Sequence, residues 1–166
     1  MTSSIRWVRD GLIVGLIAYA AVALFYAMFD VLAARGALYT VNQLGLAVFR
    51  GLRDPSVLGL PIPIDRAAVA MYTAVHLGAS LAIGLTVVWL VERAEARPMR
   101  AQVMLLWIVA GFAFTIAVVG LLSTAIRPVL PWWSIVLANS FAVVLAGLYM
   151  MRRHPGFLSR MTVSPR

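Results

Sequence analysis

The sequence predicts an all-α integral membrane protein: a four-helix bundle with an interfacial helix on the outer side, between the first and second spans. Three observations carry this. Of the 166 residues, 63% are hydrophobic and 12% charged, about half the charged fraction of an ordinary soluble domain. The apolar residues fall in four long runs, which a water-soluble chain of this size could not bury. All fourteen basic residues are arginine, and they gather where the runs end. The whole chain, 1–166, reads as one transmembrane domain.

A helix needs about 20 apolar residues to cross roughly 30 Å of hydrocarbon. The first run, 11–34, carries no charge before Asp30. It is longer than the apolar core of a secretory signal, so it reads as a retained span although "VLAARGA" would serve as a cleavage site. Residues 35–66 then form a long connection, and a connection of that length usually has structure of its own. Within it, Leu38, Val41, Leu44, Val48 and Leu52 recur at close to helical spacing. Residues 38–52 are too short to span and predict a helix lying on the outer surface. The "DPSVLGLPIPID" that follows reads as extended and stiffened by proline.

The second span is expected over 67–91, with "ERAEAR" adding a turn or two before Pro98 stops the helix. The third covers 101–126. The fourth covers 129–151, with Pro131 in its first turn, where a missing N–H costs little. The connection at Arg127 and Pro128 predicts a tight hairpin.

Arginine placement sets the orientation. Arg6, Arg9, Arg93, Arg97, Arg100, Arg152, Arg153, Arg160 and Arg166 lie on one side; Arg35, Arg50, Arg53, Arg66 and Arg127 lie on the other. The richer side is the cytoplasmic one, so both termini are expected in the cytoplasm of a bacterial inner membrane. Trp7 and Trp89 then fall at the inner interface and Trp132 and Trp133 at the outer one, while Trp107 is deep enough to read as a packing residue. The net charge of +8 suits anionic lipid headgroups. Nucleic acid is excluded as a partner, because no soluble domain is present to carry a basic face.

Depth can be estimated from the helical rise. Measured from the outer ends, His76, Asn139, Thr115 and Tyr26 lie about 14, 15, 17 and 12 Å deep. One polar side chain from each span therefore falls in a midplane layer. Unpaired polar groups are costly in hydrocarbon, so the four are expected to hydrogen-bond to one another. Nearer the outer face Asp30 lies about 6 Å deep. Intramembrane ionisable groups pair, and Arg66 and Arg127, which cap adjacent helix ends, are its expected partners.

Small residues mark where helices should meet. Gly11 and Gly15 form a GxxxG motif in the first span. Ala74, Gly78 and Ala82 form a stripe on the second, with His76, Ser80 and Gly84 beside it. Ala138, Ala142 and Ala146 form one on the fourth. Such stripes let backbones approach closely in lipid.

The chemistry on offer is sparse. There are no cysteines and two histidines. Thiolate, disulfide and cysteine-metal chemistry are therefore out of reach, and no zinc-type ligand set is spaced for binding, so no metal or cofactor is expected. Haem at His76 would lack a second axial ligand within the chain, since His154 lies at the inner surface. Ser80 is one turn from His76, but no acid at that depth completes a triad. Phosphate-binding and dinucleotide-binding motifs are absent.

Three stretches, "FYAMFDVLAARGALYTVNQLGLAVFRG", "AVHLGASLAIGL" and "NSFAVVLAGLYMMRRHP", together resemble small uncharacterised four-helix bacterial integral membrane proteins. The resemblance implies no activity, cofactor or partner. It implies a bacterial inner-membrane location and marks Asp30, His76, Asn139 and "RRHP" as features of the chain. The expected function is non-enzymatic: a multi-pass protein that packs in the lipid bilayer against or within a larger assembly of other membrane subunits or further copies of itself. An alternative is a membrane-embedded site for quinone or haem around His76 and Asn139. A third is an oligomeric carrier linked to ions or protons.

Overall fold

The computed structural model describes residues 3–52, 54, 62–97, 101–127 and 130–154. Most of the proline-stiffened stretch after residue 54, the Pro98 stop, Pro128, and Arg53, Arg100, Arg160 and Arg166 lie outside the described residues. The described chain is all-helical: α1 Ser3–Leu32, α2 Tyr39–Phe49, α3 Arg66–Ala96, α4 Ala101–Leu122, a 3-10 turn Thr124–Ile126, and α5 Trp132–Arg153. Four of these helices, all but α2, are long and apolar enough to cross a membrane.

α1 has 30 residues and α3 has 31. Each is about 45 Å long, well beyond the roughly 30 Å hydrocarbon layer. The excess lies at the ends. α1 begins eight residues ahead of the expected Gly11, because Arg6, Trp7, Arg9 and Asp10 continue the helix rather than lead into it. α3 runs through the "ERAEA" segment to Ala96, as the helix-forming residues there suggest. α4 ends at Leu122, short of the expected 126, and the 3-10 turn takes up the difference.

α1 packs most extensively on α3 and then on α5; α3 also carries α2 and α4. The closest approach is between α1 and α3. A Cβ on Gly11 would lie 2.8 Å from the Leu85 Cα, and one on Gly15 would lie 2.6 Å from the Leu81 Cα. One on Gly84 would collide with the Gly11 carbonyl and the Gly15 amide. The face of α3 that meets α1 is thus the Ser80–Gly84 stripe, both residues buried. The Ala74–Gly78–Ala82 stripe is rotated away and is exposed along its length. On α5, Ala138 and Ala142 are buried and Ala146 packs beside Val14, Val88 and Met150.

α4 lies at the edge. No residue from Gln102 to Leu121 is buried. Trp107, expected to pack, is 65% exposed, with Phe114 at 70%. α4 touches α3 and, more weakly, α5, so most of its circumference has no protein partner among the described residues.

α2 lies within the helix expected over 38–52, but most of the residues it buries are not those of its apolar stripe. Thr40, Asn42, Gln43, Gly45, Leu46 and Ala47 of α2 are buried, while Leu38 and Val48 are exposed. A Cβ on Gly45 would lie 2.6 Å from the Ala68 carbonyl oxygen, so α2 rests directly on the first turn of α3. Ala47 joins Ile126, Leu130 and Ile135 in one apolar cluster, flanked by Tyr26, Leu44 and Ile116. α2 therefore packs against one end of the bundle. That end is the α2 end below; the opposite end, where α1 begins and α5 finishes, is the terminal end.

Candidate functional site

Polar side chains gather at three levels. At the α2 end, the turn after α1 sets the geometry. The Arg35 N–H donates to the Asp30 carbonyl at 2.9 Å and the Ala34 N–H donates to the Val31 carbonyl at 3.0 Å. These two bonds are the Schellman pattern, with Ala34 at φ 56° in the left-handed position. The turn folds Arg35 back over α1. Its guanidinium lies 5.1 Å from the Phe29 ring centre and 4.8 Å from that of Tyr39, and 3.7 Å from the Asp30 carboxylate.

Asp30 is fully buried. Its two carboxylate oxygens accept from the Thr40 N–H and the Thr40 hydroxyl, each at 2.7 Å. Leu38 offers no side-chain cap to α2, so Asp30 supplies the cap from α1. This corrects the expected ion pair. Arg66 and Arg127 are both exposed, and Asp30 is held instead by Arg35 and Thr40. The reason is local: the C-terminal turn of α1 returns Arg35 to the residue five positions earlier.

A second clasp fastens α2 to α3. Buried Asn42 donates from its side-chain nitrogen to the Pro63 carbonyl at 3.3 Å and accepts from the Asp65 N–H at 2.9 Å. Asp65 in turn caps α3 by accepting from the Ala68 N–H, and accepts from Arg50 Nε at 2.9 Å. The hydrogen bond from Arg50, followed by that from Ala68, holds the Asp65 carboxyl below the usual carboxylate range.

At the terminal end, Asp10 is buried between α1 and α5. One carboxylate oxygen accepts from the Tyr149 hydroxyl at 3.0 Å and faces Arg9 at 3.3 Å and Arg153 at 3.4 Å. Nearby, His154 Nδ1 lies 3.0 Å from the Glu95 carboxylate, tying the end of α3 to the end of α5. Arg93 sits over the Trp89 ring at 4.1 Å. Sequence reasoning missed Asp10, because it opened the first span at the first uncharged residue. The signal was an acid directly before a GxxxG motif, one residue from an arginine.

The middle level does not form the expected layer. Asn139 donates to the Ile135 carbonyl of its own helix at 2.8 Å, and Thr115 donates to Gly111 of its own helix at 2.8 Å. Tyr26 pairs with Ser134 across α1 and α5 at 3.3 Å. No hydrogen bond joins any two of His76, Asn139, Thr115 and Tyr26 among the described residues. A four-residue step back along the helix always offers an amide or hydroxyl group a carbonyl within reach, and equal depth does not give equal azimuth. His76 lies beside two tyrosines instead: the Tyr19 ring of α1, with ring centres 5.2 Å apart, and the Tyr72 ring of α3, at 6.1 Å.

Among the described residues no group of three or more histidine or acidic side chains could hold a metal ion. Compared with protein-family models, curated proteins and solved structures, the chain finds no match.

Proposed function

We propose that the chain is a non-enzymatic multi-pass protein of the bacterial inner membrane that packs within a larger membrane assembly. Its ends are placed by the arginine asymmetry, with both termini and the terminal end in the cytoplasm.

The observation that carries this reading is the open face of α3. Ala70, Ala74, Gly78, Ala82 and Thr86 follow at four-residue spacing, all exposed, and a Cβ built on Gly78 meets nothing within 4 Å. The stripes at Gly11–Gly15 and Ala138–Ala142 are used up inside the chain. The α3 stripe is left to be used outside it. Helix association in lipid runs on close backbone approach across such faces. The polar groups at the two ends are engaged in holding helices together, which suits a packing role.

Native mass spectrometry of the chain, extracted from its own membrane in mild detergent, tests this. The expected result is a complex heavier than one copy of the 18.1 kDa chain. A lone monomer at every detergent concentration contradicts it.

A further inference from the structure

The α1–α3 crossing has an unfinished part. On α1 the contact stripe is Gly11, Gly15, Tyr19; on α3 it is Gly84, Ser80, His76, Tyr72, each step four residues. Where glycines meet, the backbones touch. Towards the α2 end the glycines give way to rings. There the Tyr19 ring of α1 lies 5.2 Å from the His76 ring of α3, and the Tyr72 ring lies 6.1 Å from it.

These three side chains carry two phenol hydroxyls and an imidazole. Among the described residues none of the three has a hydrogen-bond partner, and their polar atoms are not among those sealed from the surface. All three residues are half-buried. His76 stands about 15 Å along α3 from Arg66, and Tyr19 about 20 Å along α1 from Leu32. That depth is out of reach of lipid headgroups, and hydrogen-bonding groups left unmet in hydrocarbon are costly. Elsewhere in the spans, Thr86, Thr115 and Asn139 satisfy themselves on their own helices. Tyrosine and histidine do not cap themselves that way here, so among the described residues their hydrogen-bonding groups are open to a ligand.

We propose that this cluster of Tyr19, His76 and Tyr72 binds the ring of a lipid-soluble quinone at its bilayer-facing side. The ligand must be flat to lie among aromatic rings and must be carried into the acyl layer by its own tail. It must also offer acceptors to the phenol and imidazole donors. A quinone ring, with a carbonyl on opposite edges, meets all three requirements. The neutral imidazole has one donor and one acceptor nitrogen, so it can also serve the hydroxyl of the quinol. Ala20, next to Tyr19 on α1, and Ala79, three residues from His76 on α3, are small and exposed. The proposal concerns binding, and no electron or proton transfer is assigned to the site. It stands independently of the docking face, since a monomer can hold the ring and an assembly can form without it.

The test is photolabelling of the full chain in lipid nanodiscs with an azido-quinone, with and without excess unlabelled short-chain ubiquinone. Labelled peptides are located by mass spectrometry. The expected result is label on the α1 and α3 segments around Tyr19 and Tyr72, displaced by the competitor. Tyr19→Phe and His76→Leu should each weaken competition by about three- to tenfold, the range for one lost hydrogen bond. Tyr72→Phe, which removes a single oxygen, keeps the test open if His76→Leu fails to fold. Label spread over the open face of α4 at Trp107 and Phe114, with no displacement and no response to Tyr19→Phe, overturns the proposal.

Discussion

Asp30 shows how a charge survives at the edge of the hydrocarbon. It meets two donors of one threonine and the folded-back Arg35, and it caps a helix that has no cap of its own. Hydrogen bonds to a charged group contribute about 1.5–3 kcal/mol each. Thr40→Val keeps the shape and the N–H and removes only the hydroxyl donor. It should lower unfolding stability in mild detergent by about 2 kcal/mol; a loss within error of zero would mean that the hydroxyl bond is not held in solution. Asp65 makes a prediction in pH. Its carboxyl is held low by Arg50 and Ala68, so the native state favours the ionised form. The contribution is fully present above the unfolded value of about 3.9 and fades as pH falls through the lower native one. Melting temperature should therefore drop more steeply below about pH 4 in the wild type than in Asp65→Asn. Parallel curves would contradict the assignment.

At the scale of elements, the bundle is organised by one close crossing. α1 and α3 meet through Gly11, Gly15 and Gly84, and the remaining helices pack around that pair. Gly84→Val places atoms where the Gly11 carbonyl and Gly15 amide lie. Two backbones must then separate, so the cost should reach the upper part of the usual overpacking range, about 3 kcal/mol. Gly147→Val, at a helical site with nothing within 4 Å, is the matched control and should cost well under about 1 kcal/mol. Equal effects in a chemical-unfolding series would show that the crossing is looser than described. The number of spans was legible because run length and charge placement answer directly to bilayer thickness. The phase of each span was not. The sequence offered two adjacent stripes on α3, and the Ala74–Gly78–Ala82 stripe was the more regular one. Only the position of α1 shows that Ser80 and Gly84 face inward. For the same reason depth alone could not pair His76 with Asn139, nor Asp30 with Arg66. The helix over 38–52 was legible from its apolar spacing, but its buried polar face was not, because the Asn42 and Asp65 clasp depends on a chain segment returning from 23 residues away.

Taken whole, the molecule is tied at both ends and open along its flanks. Asp10 with Tyr149 and Glu95 with His154 fasten the terminal end. α2, with Asp30 and Asp65, fastens the other. Between the ends, α4 and the small-residue face of α3 turn outward. α4 presents bulky apolar side chains that suit lipid tails; α3 presents a flat backbone-exposing strip that suits another helix. The chain contains no cysteine, which makes this contrast directly measurable. In native membranes, single Gly78→Cys and Phe114→Cys variants are labelled with a short maleimide photo-cross-linker, irradiated and resolved by size. A docked neighbour on α3 gives a discrete cross-linked species from position 78, at several times the yield from position 114. Equal yields at the two positions, or none at Gly78→Cys while its thiol remains reactive, would contradict docking there.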